Sequence, residues 1–175
     1  MNTETVSPRE SNLISKTLRE VFSFPHPVNE VAARMVAGMV LALSLLIVVL
    51  DIHWLMFLLV YGFLARVLTG PTLSPMGLLA TRALVPAVGN RRKLVAGPPK
   101  RFAQTIGLAF SATALILTYG FGLSLAAEGV LIVLAVFAGL ESVLGFCAGC
   151  FVFNYLMRWG LIPKETCQRC ANFAP

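Results

Sequence analysis

Cysteine occurs only within the stretch GFCAGCFVFNYLMRWGLIPKETCQRC, residues 145–170, as two C-x-x-C pairs, Cys147/Cys150 and Cys167/Cys170. Two thiols at this spacing can close a small disulfide ring, and one of them can take a depressed pKa and act as a nucleophile. Exchange then runs through a mixed disulfide with an incoming thiolate. The first pair lies in a run as apolar as a membrane span; the second lies in a polar, basic tail. Three readings stay open. In the first, both pairs form a redox or sulfur relay, Cys167 and Cys170 passing electrons or sulfane sulfur to Cys147 and Cys150. Paired cysteines in an otherwise cysteine-free chain favour it. In the second, C-x2-C-x16-C-x2-C holds a four-cysteine zinc ion, although the tail would have to fold back onto an apolar helix. In the third, small apolar cysteines pack in helices and do no chemistry. A cytoplasmic location argues against a permanent structural disulfide. The relay requires no cofactor; zinc belongs to the second reading alone.

Glu141 and Arg66 are the ionisable residues that fall deep inside apolar runs. Glu141 lies about 16 residues, or roughly 24 Å, from the outer end of its run, and Arg66 about 12 residues, or roughly 18 Å, into its own. Matching depths predict an Arg66–Glu141 pair, an architectural contact that compensates two costly charges; an Arg66 that snorkels to the inner headgroups is the alternative. On one continuous helix Glu141 projects about 120° from Cys147, so it serves that thiol as a base only if the helix bends between them. Asp51 and His53 read as caps of an outer turn, and with only His26 elsewhere a histidine-based metal site is not expected. Ser111, Thr113, Thr118 and Ser142 read as helix hydrogen-bonding residues. There is no Ser/His/Asp arrangement, no phosphate-binding glycine loop and no pair of carboxylates for hydrolysis.

The elements that carry these residues follow from composition. Of 175 residues, 57% are hydrophobic and 13% charged, with mean hydropathy +0.80; a soluble domain carries about a quarter charged residues. One core of this size cannot hide that much apolar surface, so the excess faces lipid. Helix breakers cut the chain into four apolar runs, 29–50, 52–68, 101–121 and 125–158, the third placed after the Pro98-Pro99 breaker. About 20 residues cross a bilayer core, so the last run either tilts into the cytoplasm or bends near Gly145 and Gly149. The expected fold is therefore all-α: an integral membrane four-helix bundle within residues 28–159. A cytoplasmic segment, 1–27, precedes it, and a cytoplasmic tail, 160–175, carries the second pair.

Loops set orientation. The net charge of +6 concentrates between apolar runs rather than on a soluble face, which argues against nucleic acid. Arg82, Arg91, Arg92, Lys93, Lys100 and Arg101 fill the loop 69–100 and the start of the third span without one acidic residue, and form the expected surface for anionic lipid or an acidic partner. The tail adds Arg158, Lys164 and Arg169. By the positive-inside rule both termini and this loop are cytoplasmic, in a multi-pass inner-membrane protein with no cleavable signal peptide. Trp54 and Trp159 then anchor opposite faces. SPRESNLISKTLREVF, with Ser7, Pro8 and Glu10 as start signals, reads as an amphipathic helix on the membrane and SPMGLLATRALV as a second candidate; connecting structure packed against the bundle is the equal alternative for both.

Four segments carry a family resemblance: VNEVAARMVAG opening the first span, GPTLSPMGLL after the second, PPKRFAQTIG opening the third, and GFCAGC in the fourth. Across about residues 28–155 the chain resembles the bacterial membrane family called domain of unknown function 4395. The resemblance implies no established activity. Members occurring near thioredoxin-like or rhodanese-like proteins imply thiol or sulfur chemistry and a soluble partner of that kind. The second cysteine pair lies outside the matching part. The leading expectation is a cytoplasm-facing thiol–disulfide or sulfur relay. Its rivals are a non-catalytic accessory subunit of a larger membrane complex and a protein with a structural zinc site.

Overall fold

The computed structural model describes residues 28–89, 93–95 and 97–160. The helix expected around residues 7–22, Arg91, Arg92, and the tail pair Cys167 and Cys170 lie outside the described residues. Two residues of strand β1 (Val28–Asn29) lead into α1 (Glu30–Leu50), then α2 (Leu55–Thr69) and a short α3 (Pro75–Leu79). A π-helical turn (Ala80–Leu84) carries α3 into Val85–Ala87, and β2 (Leu94–Val95) precedes α4 (Gly97–Tyr119). After α5 (Ser124–Gly139), which ends in a second π-helical turn (Leu140–Leu144), comes α6 (Ala148–Arg158).

Among the described residues, three segments are long and apolar enough to cross a membrane: Glu30–Leu50, Gly97–Tyr119 and Ser124–Leu144, with mean hydropathies of 2.4, 1.4 and 2.0. The apolar α2, at 15 residues, is shorter. Asn29 caps α1, its side chain accepting from the Val31 amide, and Asp51 ends it in a left-handed conformation at φ 55°. That residue allows the tight reversal into α2. α1 packs on α5, α2 on α4, and α4 on both α5 and α6. Large and small side chains share the core: Val40, Ile47, Met56, Leu59 and Leu131 beside Ala114, Ala127 and Ala138. Small residues let helix backbones approach closely, the packing that works when no hydrophobic effect separates helix from solvent. The outer faces are equally apolar, with Val49, Phe57, Tyr61, Leu64, Ile116, Val136 and Phe137 exposed. A helix apolar all round belongs in a large core or in lipid.

One sequence expectation about helix boundaries changes. The Pro98-Pro99 pair does not break the chain before the third long helix but lies inside its first turn, since α4 starts at Gly97. Proline fits there because first-turn amides have no helical partner. Of the two alternatives for the run 125–158, the bend near Gly145 is the one found. The helix stops at Gly145, in the left-handed region at φ 69°, and restarts at Ala148. α3 shows the expected start, with Ser74 as cap and Pro75 in the first turn, and buries Met76 and Ala80 in the core cluster. Of the two readings of SPMGLLATRALV, packing on the bundle is the one observed. The loop 69–100 is pinned to the start of α1 by the antiparallel pairs Val28↔Val95 and Asn29↔Leu94, and by a 2.9 Å Lys93–Glu30 ion pair.

Candidate functional site

Gly145 decides where the first cysteine pair sits. Its amide donates to Glu141 O and the Phe146 amide to Leu140 O, closing the end of the α5 turn. Arg34 of α1 donates to Ser142 O at 3.3 Å and to Val143 O at 2.8 Å, supplying carbonyls left open at that end. A Cβ on residue 145 would meet the Arg34 guanidinium at 3.3 Å, so positive φ and close approach both call for glycine. The chain then runs extended through Cys147, the N-cap of α6 at φ −94°, ψ 104°. Ala148 and Gly149 begin the helix and Cys150 is its third residue.

The pair therefore stands at a helix N-terminus, beyond the last long apolar segment. Both are free thiols, Cys147 buried and Cys150 half-buried. A helix start stabilises negative charge through its unpaired amides. The hydrogen bond from the Cys150 thiol lowers the Cys147 pKa to about 7; burial and the Glu141 carboxylate oppose this, while Lys100 and the Cys150 amide assist. Cys150 is pushed the other way, first by its hydrogen bond with Cys147 and then by burial. One nucleophilic sulfur and one protonated resolving sulfur are what disulfide exchange needs.

α6 is held against α4 at Gly149, where a Cβ would lie 2.5 Å from the Ala103 Cβ and 2.6 Å from its Cα. Phe102 and Phe153 stack beside that contact, ring centroids 5.6 Å apart. The other face of α6 is an exposed aromatic row in which Phe146, Phe151, Tyr155 and Trp159 follow one another at centroid distances of 5.9, 6.2 and 5.1 Å.

Glu141 pairs with Lys100, Nζ to Oε1 at 2.7 Å, rather than with Arg66. The earlier start of α4 explains this. Lys100 becomes helical and joins the inward row Lys100, Gln104, Gly107, Ser111 and Ala114, instead of standing in a basic loop. It is 7% exposed and so leaves the expected lipid or partner surface. Arg66 stays buried on α2, its Nε donating to Gly62 O at 3.0 Å and its guanidinium 4.5 Å from the Phe63 ring centroid. It feels the Glu141 charge without contacting it. Of the other expected surface cations, Arg82 and Lys93 are exposed, and Arg101 is exposed with its Nε donating to Val67 O. Sequence reasoning missed Arg34, whose only signal is a cation in the second turn of an apolar helix. At the outer ends, His53 Nε2 lies 3.9 Å from both Asp51 Oδ1 and Glu128 Oε1. The zinc reading needs Cys167 and Cys170, which are not described.

Fold and site together define a helical protein with apolar helices of membrane-crossing length and a dithiol at a helix start beside a buried Lys–Glu pair. Over residues 28–158 the chain matches the family described as Domain of unknown function (DUF4395), and it belongs to that family. No curated protein and no solved structure matches it.

Proposed function

We propose that this is a four-span membrane protein with both ends cytoplasmic, in which Cys147 and Cys150 form a thiol–disulfide or sulfur relay with a soluble thioredoxin-like or rhodanese-like partner. The observation that carries the reading is the position of the pair: Cys147 as N-cap and Cys150 in the first turn of α6, with Lys100 and Glu141 beside them. Four apolar helices, the exposed cations Arg82, Lys93 and Arg101, and the positive-inside rule support the orientation. α1, α2, α4 and α5 are then the spans, and α6 lies along the inner interface with its aromatic row among the headgroups, where such rings concentrate.

In the redox form, the Cys147 thiolate attacks one sulfur of the partner's disulfide, which breaks, and the released partner thiolate takes up a proton. The Cys150 thiolate then attacks the Cys147 sulfur, freeing the second partner thiol. Two electrons and two protons have moved from the Cys147/Cys150 pair to the partner, and the reverse sequence reduces the pair. In the sulfur form, Cys147 attacks the outer sulfur of a partner persulfide, becomes the persulfide itself and releases the partner thiolate. Cys167 and Cys170 are the pair through which either exchange could be handed on.

Trapping tests the relay. Cys150→Ser cannot resolve a mixed disulfide, so it should accumulate a reducible adduct with a thioredoxin-like protein that lacks its own resolving cysteine and carries its remaining thiol preloaded as a mixed disulfide with thionitrobenzoate, which leaves as the adduct forms. Cys147→Ser should give none. Equal adducts from both variants, or none from either, would sink the relay and leave an accessory subunit, for which a stoichiometric membrane partner on native purification is the expected sign.

A further inference from the structure

Cys147 borders two hollows. A more open groove of about 440 Å³ also touches Cys150, Phe146, Phe151 and Asn154. Cys147 also lines an inner cavity of about 510 Å³ between α1, α2, α4 and α5, walled by Val36, Val40, Phe63, Phe110 and Phe137. Its volume falls in the range of small-molecule sites, about 300–1,000 Å³. Its charged lining residues are Arg66, Lys100 and Glu141, so positive charge is in surplus by one.

Two polar atoms there are left over. Arg66 is 5% exposed, and its Nη2 has no acceptor among the described residues. A guanidinium does not lose its proton in proteins, and a buried donor without an acceptor is unfavourable. Gln104 Oε1, also on the lining, is buried and has no donor among the described residues. A ligand complementary to this lining has an apolar, ring-sized body, an oxygen that accepts from Arg66 and a hydroxyl that donates to Gln104.

We propose that the inner cavity is a binding site for the head group of a quinone, placed next to the thiol pair. A quinone carbonyl accepts from Arg66 Nη2, and the hydroxyl of the corresponding quinol donates to Gln104 Oε1. A fatty-acid carboxylate would satisfy Arg66 but has no donor for Gln104 and no electrons to exchange with a dithiol. The redox step rests on the relay reading, while the binding site does not. In that step two S–H bonds of Cys147 and Cys150 give way to one S–S bond. Two electrons and two protons convert the two quinone carbonyls to hydroxyls, and the reverse reaction reduces the disulfide. Cys147 would then stand between a soluble partner in the groove and a lipid-soluble carrier inside.

The test uses the full chain in lipid nanodiscs and a decyl-substituted benzoquinone as probe. Saturable one-to-one binding is expected, weakened at least about tenfold by Arg66→Gln through loss of a hydrogen bond from a charged donor. Ala37→Phe, which fills the cavity without touching that bond, should weaken it too. Replacing both Cys147 and Cys150 by Ser should leave binding intact but abolish quinol formation. Thermal unfolding of each variant separates loss of the site from loss of the fold, and Arg66→Lys, which keeps a cation, should retain part of the affinity. No saturable binding, affinity indifferent to both Arg66→Gln and Ala37→Phe, or equal affinity for decanoate would each overturn the quinone site. Quinone binding with neither thiol oxidation nor exchange with a soluble disulfide would support the site and remove the relay. Exchange with a soluble disulfide without quinone binding would do the reverse.

Discussion

Cys147 and Cys150 are three residues apart, yet their surroundings drive them in opposite directions. The Cys147 pKa is held near 7 by the Cys150 thiol, whereas an ordinary thiol titrates at about 8.5. Since the thiolate is the reactive form, alkylation of Cys147 should rise as pH increases through about 7, with Cys150 lagging at every pH. Pulsed alkylation read by peptide mass checks this, and a Cys147 midpoint at the ordinary thiol value would contradict it. Lys100 and Glu141 form a contact pair whose side chains are 9% and 21% exposed. Breaking a fully buried pair costs about 3–5 kcal/mol; with Glu141 partly solvated, Glu141→Gln should cost about 2 kcal/mol. A double change, Lys100→Met with Glu141→Leu, should recover most of it, because neither charge is then stranded. Glu141→Gln should also move the Cys147 midpoint to lower pH, as the carboxylate opposes the thiolate. Unfolding and alkylation of the same variants report both effects, and unchanged stability in Glu141→Gln would argue against a structural pair.

Helix ends, rather than helices, make the site. α5 stops because Gly145 can adopt positive φ and because Arg34 supplies its last carbonyls. α6 then starts with a cysteine where Ser, Thr, Asp or Asn is preferred, which leaves a weak cap and an available sulfur. Its position depends on Gly149, whose hydrogen faces the Ala103 backbone. Gly149→Ala must push α6 away from α4 and should cost about 1–3 kcal/mol, the range for overpacking a close contact. Gly129 on α5 has nothing within 4 Å of an added Cβ, so Gly129→Ala should be neutral or slightly stabilising through helix propensity. Thermal unfolding of the two variants side by side tests the contact. Equal behaviour would mean that α6 is not docked as described.

At the scale of the molecule, apolar surface lies both inside and outside the bundle, and the two tryptophans mark its ends. Trp54, 65% exposed, precedes α2, and Trp159, 70% exposed, follows α6. In the four-span arrangement they face opposite sides of the bilayer. Single-tryptophan variants, Trp54→Phe and Trp159→Phe, in oriented vesicles should be quenched by an impermeant quencher from opposite sides, Trp159 from the cytoplasmic one. Quenching of both from one side would remove the arrangement proposed here.

Hydropathy and breakers are local properties, and they made much of the architecture legible. Four apolar helices, the tight turn at Asp51, the Ser74–Pro75 helix start and the cysteine spacing can all be read along the chain. A bend near Gly145 was also readable, because a run of about 35 residues outlasts a bilayer. Which way each helix face points was not, since that depends on rotation about the axis and on where the first turn begins. Moving the start of α4 to Gly97 turned Lys100 from a loop cation into the partner of Glu141 and left Arg66 unmatched. The closing of α5 by Arg34, from a residue more than a hundred positions away, set the cysteine pair at a helix start. Sequence alone determined an apolar helical chain with paired thiols. Only tertiary packing decided which charges meet among the described residues and that Cys147 borders two hollows, because those outcomes depend on contacts between segments far apart in the chain.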